Sequence, residues 1–299
     1  MRLQCVSICL VLYCLLVAEP SAAVPDDPSF EGVPLSSWLL RLSADGAVTR
    51  ARDAVRSIEV KAIPLLRAYL EAKDSWIRVK AKSLIRESKV QDWLPPSALD
   101  RKRMARLGYD AFDLSIARGL VSQLDDTNLI YGDGDRVYEV TKDLERIGSE
   151  AIPALVEGLE NDSAFVRYHS CFCLGHYISL RDRSAVEGLA ARMNDSSQFV
   201  RIRAAIALGQ IKQEPSVSVP ALSEGLIDES LTVRYHSARA LASFEANAQP
   251  ALGCIHAALE SLKNRPAERT QGGVLRDVSE AELRQVLRLA ARKIRDGAE

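Results

Sequence analysis

The sequence has little of what marks most enzymes and nucleic-acid-binding proteins. Its 299 residues include 39 Lys and Arg against 40 Asp and Glu, so the net charge is −1 and there is no general basic surface to hold nucleic acid. It contains no P-loop, no G-x-S-x-G and no H-E-x-x-H motif. These absences predict a protein with no catalytic centre, no cofactor, no metal site and no nucleic-acid partner.

Long apolar runs are also missing beyond the N-terminus, which predicts no transmembrane segment in the mature chain. The first residues instead show Arg2, an apolar run over Cys5–Ala18, and the small residues Ser21-Ala22-Ala23. This order is typical of a secretory signal peptide. We therefore expect residues 1–23 to be cleaved and the mature protein to be exported, either to the periplasm or by secretion.

Cysteine is scarce in the mature chain. Three of the six cysteines fall in the predicted signal peptide, which leaves Cys171, Cys173 and Cys254. An odd number without framework spacing argues against a disulfide scaffold, and we expect these three to be small buried hydrophobes. A lipoprotein is an alternative to cleavage after Ala23, because the apolar run contains cysteines, but none of them follows the small residue that a lipid-attachment motif requires.

What the sequence does contain is a repeat. The stretch Phe165–Gly175 returns as Phe199–Gly209 and again as Val233–Ala242, and the five letters Val-Arg-Tyr-His-Ser occur twice. The Val-Arg pairs lie 200 − 166 = 34 and 233 − 200 = 33 residues apart. A fixed period of this length predicts a repeat solenoid, in which each unit packs on its neighbours.

Each unit follows one frame. A proline precedes an aliphatic residue by 13 positions three times, from Pro64 to Ile77, Pro153 to Val166 and Pro220 to Val233. The frame predicts a first helix begun by proline, an Asp/Ser turn, and a second helix opened by an aliphatic-Arg pair. The fold class expected is all-α, a right-handed α-α superhelix of about seven helical pairs.

The predicted organisation has four parts, and the solenoid is interrupted by an irregular connection with one extra helix. Ser279 and Glu282 have capping-box spacing at the start of a final helix with one apolar stripe. In chain order the parts are a signal peptide (1–23), a linker (24–32), the solenoid (33–262, irregular near 88–114), and a loop with a C-terminal capping helix (263–299).

This frame resembles the HEAT repeat family, and in particular the short HEAT-like type found in phycobilin lyases. The residues that carry the resemblance are Pro153-Ala154-Leu155, Leu159, Asp162, Val166-Arg167 and Leu174-Gly175, with their counterparts from Pro220 to Leu241. The resemblance implies that the turn Asp and the Arg opening the second helix tie neighbouring units together. Here that role would fall to Asp162, Asp195 and Asp228 with Arg167, Arg201 and Arg234.

The second helices also predict a surface. If Val166, Val200 and Val233 face the core, the residues at +2, +3 and +6 point outward, Ile202 among them. Tyr, Phe and Arg are enriched at protein-binding hot spots. The predicted partner-binding residues are Tyr168, His169, Phe172, Arg203, Tyr235, His236 and Arg239. The alternative is that the rings only cover gaps between stacked repeats.

The function expected is a non-enzymatic interaction scaffold, exported from the cytoplasm, that binds a protein partner on its concave second-helix face. His169 and His236 lie two repeats apart, roughly 20 Å at the spacing of packed helices, so they do not form one metal site. Two alternatives remain open. One is an enzyme or accessory factor of the phycobilin-lyase type, and the other is a repeat protein that binds an envelope surface or a glycan.

Overall fold

The computed structural model describes residues 26–42, 48–72, 98–125, 134–176, 182–263 and 278–298. The predicted signal peptide, the second helix expected around Ile77 and most of the loop between Asp125 and Asp135 lie outside these ranges. The chain divides into two compact units, and the boundary in the sequence falls between Ile116 and Ala117. Within the described ranges, no helix is long and apolar enough to cross a membrane.

The described residues of the first unit form a small hairpin and four helices. Its elements are β1 (Ser29–Phe30), β2 (Val33–Pro34), α1 (Leu35–Leu42), α2 (Val48–Ile58), a 3₁₀ turn (Glu59–Ala62), α3 (Ile63–Glu71) and α4 (Ala98–Tyr109). Helix α4 packs on α1 and α3. Trp38 and Leu39 of α1 are buried in the core of this unit.

The hairpin shows that Val33 and Pro34, the first residues of the predicted solenoid, form a strand and not a helix. They pair as an antiparallel strand with Phe30 and Ser29. The chain reverses at Glu31 and Gly32, both of which have positive φ, as a tight hairpin turn requires. Helix α1 begins only after this reversal, at Leu35.

The second unit is an array of helical pairs. Its elements are α5 (Leu114–Gln123, which crosses the unit boundary), α6 (Gly134–Ile147), a 3₁₀ turn (Gly148–Ala151), α7 (Ile152–Gly158), α8 (Ala164–His176), α9 (Arg183–Ala191), a 3₁₀ turn (Arg192–Asn194), α10 (Gln198–Ile211), α11 (Pro215–Glu224), a 3₁₀ turn (Gly225–Ile227), α12 (Leu231–Ser243), a 3₁₀ helix (Glu245–Ala251), α13 (Leu252–Lys263) and α14 (Glu280–Asp296). The all-α repeat architecture predicted from the sequence is confirmed.

The pairs stack in two layers. The second helices α8, α10, α12 and α14 each pack on the next, and the first helices α7, α9 and α11 do the same. Small residues bring the second helices close together. A Cβ added at Gly209 would lie 2.9 Å from the Cα of Ala240, and one at Gly175 would lie 3.0 Å from that of Ala207. Any larger residue at these two positions would force the helices apart.

Proline opens the first helix of a pair in some units only. Pro153 lies in the first turn of α7, as the frame predicts. Helix α11, however, begins at Pro215 and contains Pro220 in its interior, so the prediction that Pro220 opens it is wrong. The earlier start has a local cause. Glu214 adopts a left-handed conformation, and its carbonyl accepts the N–H groups of Val217 and Ser218 at 2.9 Å each.

The C-terminal helix α14 completes the second-helix layer. Its capping box has the predicted form, since Glu282 N donates to Ser279 Oγ at 3.2 Å and Ser279 N donates to Glu282 Oε2 at 2.9 Å. One stripe of the helix is buried, comprising Leu283, Val286, Leu287, Ala290, Ala291 and Ile294. Helix α14 packs on α12 and α13, and its residues Arg288, Arg292, Lys293 and Arg295 are exposed.

We predict that Leu208→Ala lowers the free energy of unfolding by about 2–5 kcal/mol, because Leu208 in α10 is 0% exposed and its truncation leaves a cavity. Urea titration followed by circular dichroism measures the loss. The control is Leu289→Ala in α14, where the side chain is 48% exposed and the change should stay within about 0.5 kcal/mol. Equal stability of the two variants would contradict the packing described above.

Candidate functional site

An arginine–aspartate pair connects neighbouring repeats. Arg167, at the start of α8, donates from Nε and Nη2 to the carboxylate of Asp195 in the next turn, both at 2.8 Å. Its Nη1 donates to the backbone carbonyls of Asn161 and Asp162 in its own turn, at 2.9 and 2.8 Å. One guanidinium therefore joins two consecutive turns, and it satisfies four acceptors in doing so.

The same arrangement recurs one repeat later. Arg201 in α10 donates to the carboxylate of Asp228 at 2.8 and 3.1 Å, and to the carbonyl of Asp195 at 2.8 Å. Arg234 donates to the carbonyl of Asp228. Asp162 takes part through its carbonyl oxygen. The six residues predicted to tie the repeats thus lie along one line of turns, which we call the Arg–Asp ladder.

The ladder is buried, so its charges have to be compensated. The side chains of Arg167 and Asp195 are 10% and 2% exposed. Burial raises the pKa of Asp195, but the hydrogen bonds from Arg167 and from the N–H of Ser197 outweigh it, and the net pKa is lowered. The hydrogen bond to Asp195 correspondingly raises the pKa of Arg167. Both groups therefore stay charged at neutral pH.

Outside the ladder, a second guanidinium joins two second helices. Arg203 of α10 lies over the ring of Tyr168 at 4.7 Å and over that of Phe172 at 4.9 Å, both in α8. Its Nη2 also donates to the Tyr168 hydroxyl. Cation–π contacts at this distance hold the guanidinium in one orientation. The predicted residues Tyr168, Phe172 and Arg203 are thus brought together across a repeat boundary.

Two histidines flank this arrangement. His169 packs edge-on against Tyr168 at 5.0 Å, and His236 packs in the same way against Tyr235 at 5.3 Å. Burial, and then the charge of Arg203, lowers the pKa of His169 to about 4. Burial, then Arg239, then Arg203 lowers that of His236 to about 4. Both imidazoles are therefore neutral at pH 7.

A groove lies between α10 and α12 beside His236 and Arg239. Its volume is about 220 Å³. Small and polar residues both line it, and the two helices approach closely at Gly209 and Ala240. The lining residues are Ala205, Ile206, Gly209, Gln210, His236, Arg239, Ala240 and Ser243.

The residues expected on the surface differ in exposure. Arg239 is exposed, whereas Tyr168, His169, Phe172, Arg203, Tyr235 and His236 are partly buried. Ile202 is 5% exposed, so the expectation that every +2 position points outward is wrong, and an apolar side chain at this position turns into the stack. Sequence reasoning also missed Phe199, which is 43% exposed and directly precedes the Val-Arg pair of α10, just as Phe165 does in α8.

The cysteines separate into two kinds. Cys171 and Cys173 are buried, as expected, and burial raises the pKa of each thiol to about 12. Cys254 is exposed, which corrects the expectation that all three are buried. Its position in α13 is on the solvent side of the outermost first helix. Across the described residues, no three His, Cys, Asp or Glu side chains come together as metal ligands.

Fold and ladder define the class of this protein, an α-helical repeat protein whose units are joined by buried ion pairs. Comparison with protein families gives the family. Residues 152–242 and 186–281 match the model of HEAT repeats, so this part of the chain consists of HEAT-like repeats. Comparison with curated proteins finds no match.

Several solved structures resemble the chain at low identity. An engineered protein is 18% identical with a TM-score of 0.42, and covers 88% of this chain and 98% of its own. A designed armadillo repeat protein in complex with the peptide (KR)4 is 14% identical with a TM-score of 0.38, covering 87% and 99%. Human deoxyhypusine hydroxylase in complex with glycerol is 17% identical with a TM-score of 0.35, covering 88% and 95%.

We predict that Arg167→Leu lowers the free energy of unfolding by about 3–5 kcal/mol, because it leaves the Asp195 carboxylate buried without its main partner. Chemical denaturation measures the loss. The matched control is Arg183→Leu in α9, whose ion pair with Glu187 is 65% and 53% exposed, so that its removal should cost less than about 1 kcal/mol. Similar losses for both arginines would contradict a structural role for the ladder.

The two histidines make stability depend on pH. Their pKa is about 4 in the folded protein and 6.5 as the ordinary value, so the unfolded chain takes up protons first as the pH falls. The stabilisation is complete above pH 6.5 and is lost between pH 6.5 and about 4. We predict that the Tm of the wild type falls more steeply over this window than that of His169→Gln/His236→Gln. Parallel curves would exclude these histidines as the cause.

Proposed function

We propose that this protein is a non-catalytic scaffold, exported from the cytoplasm, that binds a protein partner on its second helices. The binding residues are those of the second-helix face, which we define as Tyr168, His169, Phe172, Arg203, Tyr235, His236 and Arg239. The observation that carries the proposal is the seating of Arg203 on the rings of Tyr168 and Phe172. This contact links the sides of α8 and α10 into one surface.

Two properties of this face favour binding. Tyr and Arg are enriched among the residues that dominate binding free energy, and aromatic residues including Phe are enriched at interfaces in general. The cation–π contacts also fix the Arg203 side chain before any partner arrives. Ordering a free arginine on binding costs roughly 0.5–1.5 kcal/mol, and that cost is reduced here.

Exposed groups on either side of Arg203 extend the face. Phe199 stands near the start of α10 with 43% of its surface exposed, and Arg239 is exposed on α12. The groove beside Arg239 offers a concave position for one side chain of a partner. A protein laid across α8, α10 and α12 would therefore meet aromatic, cationic and concave contacts in turn.

The test is a crosslinking pull-down from the exported fraction of the native host, with the mature chain beginning at Val24 as bait. We predict that one dominant protein is recovered, and that Tyr235→Ala/Arg239→Ala reduces its recovery at least tenfold while the circular dichroism spectrum is unchanged. Arg183→Ala is the control, because its side chain is equally charged and exposed but lies on a first helix.

Equal recovery by the wild type and by Tyr235→Ala/Arg239→Ala would contradict a role for the second-helix face. The same preparation tests export, since N-terminal sequencing of the native protein should begin at Val24 and a sequence beginning at Met1 would contradict cleavage. A coloured adduct on incubation with a bilin would favour the phycobilin-lyase-type alternative. Retention on cell-wall material in place of a protein would favour a glycan or envelope ligand.

A further inference from the structure

Charge is unevenly distributed in the second unit. The three helices α8, α10 and α12 contain no Asp or Glu at all, although the whole chain is nearly neutral. Their ionisable basic side chains are Arg167, Arg201, Arg203, Arg234, Arg239, His169, His176 and His236. The carboxylates of these repeats lie instead in the turns and on the first helices. One layer of the stack is therefore free of negative charge along the whole length of three helices.

Most arginines of the second unit have a carboxylate partner. On the other layer, Arg118 pairs with Glu157 at 2.6 Å and Arg183 pairs with Glu187 at 2.7 Å. The ladder arginines Arg167 and Arg201 pair with turn aspartates. Across the part of the chain that the structure describes, Arg203 on α10 and Arg239 on α12 lie within 4.0 Å of no carboxylate, and the same holds for Arg288 and Arg295 on α14.

Arg203 and Arg239 lie on adjacent second helices, and Arg239 lines the same groove as His236. Burial lowers the pKa of His236, and Arg239 and then Arg203 lower it further. Because His236 stays neutral near pH 7, it does not change the positive charge of Arg203 and Arg239. It offers an uncharged hydrogen-bond donor or acceptor beside them. The result is a pair of positive charges on adjacent second helices, with aromatic rings on one side and a groove on the other.

The groove has room for a side chain of the partner. At about 220 Å³ it exceeds the cavity of about 150 Å³ that accepts benzene in an engineered core. Gln210, His236, Arg239 and Ser243 supply polar groups around it, and no acidic residue lines it. A carboxylate entering this groove would meet the Arg239 guanidinium and find no opposing negative charge.

We propose that the second-helix face binds an acidic, extended segment of a partner protein, with carboxylates placed at Arg203 and Arg239. This inference rests on the proposed function and specifies the chemistry of its ligand. Adjacent packed helices lie about 8–10 Å apart. An extended polyproline-type chain has three residues per turn and rises about 3.1 Å per residue, so acidic residues three positions apart present their carboxylates at about the same interval.

A protein segment fits this face better than a nucleic acid or a lipid surface. Polyanions are held by many basic side chains spread over a wide area, whereas the proposed site offers only Arg203 and Arg239, on a chain of net charge −1. The rings of Tyr168 and Phe172 beside them offer the apolar contact that an extended peptide uses, and aromatic-lined grooves are common binding sites for such peptides.

The experiment measures fluorescence anisotropy of a fluorescein-labelled peptide of repeated Glu-Pro-Pro units, titrated with the mature protein. We expect saturable binding that weakens as salt is added, because salt screens the ion pairs. Arg239→Gln should weaken binding several-fold, and Arg203→Gln/Arg239→Gln at least tenfold. Arg288→Gln is the matched control, since Arg288 lies on the second helix α14 beside a different pocket and should leave binding unchanged.

Three results would overturn the inference. The first is that the wild type binds a Lys-Pro-Pro peptide as tightly as the Glu-Pro-Pro peptide. The second is that Arg203→Gln/Arg239→Gln binds the Glu-Pro-Pro peptide as tightly as the wild type does. The third is arginine-dependent binding of heparin or phosphatidylglycerol vesicles in place of that peptide. The single variant Arg239→Gln excludes misfolding as the cause of weaker peptide binding. The Arg239 side chain is exposed, so the circular dichroism spectrum of this variant should match that of the wild type.

A competition arm separates this inference from the proposed function. If excess Glu-Pro-Pro peptide displaces the captured partner, both are supported. If a partner is captured through Tyr235 and Arg239 but the peptide does not displace it, the scaffold stands and the acidic ligand is excluded. If the peptide binds in an arginine-dependent manner but no protein is captured, the acidic preference stands and the protein scaffold is excluded.

Discussion

The buried pairing of Arg167 with Asp195, and of Arg201 with Asp228, sets the geometry on which the second unit depends. Desolvating an ion pair costs free energy, and the cost is offset only when every donor and acceptor finds a partner. The four hydrogen bonds of Arg167 meet that condition only at one separation of two consecutive turns. Since each turn precedes a second helix, the ladder also fixes how α8 and α10 are aligned along their length.

Close packing of small residues fixes the position of the second helices at their other end. The contacts of Gly175 with Ala207 and of Gly209 with Ala240 hold the C-terminal halves of the second helices together. With both ends fixed, the side chains between them have little freedom. The stacking of Arg203 on Tyr168 and Phe172 follows from this alignment, because a shift of one residue along α10 would carry the guanidinium away from both rings.

Features that follow from the repeat period were predicted correctly from the sequence. Features that depend on contacts between repeats were not. The buried positions of Val166, Val200 and Val233 followed from the 33- to 34-residue spacing and a helical period. The start of α11 did not, because a left-handed Glu214 places Pro215 in the first turn and leaves Pro220 in the interior. The burial of Ile202 depends on how far one repeat is rotated relative to the next. So does the position of the rings beneath Arg203. The sequence of one repeat does not reveal this rotation.

The separation of charge on α8, α10 and α12 is not explained by stability. Burial is the largest cause of the lowered pKa of both imidazoles; Arg203 lowers it further at His169, and Arg239 and Arg203 lower it further at His236. Exposed positions on the same helices would accept Glu or Asp at little cost, and the first helices use such residues freely, at Glu157 and Glu187. Natural sequences depart from local electrostatic preference mainly where a function requires it. The unneutralised arginines Arg203 and Arg239 therefore support the proposed acidic ligand, which would bring the missing carboxylates.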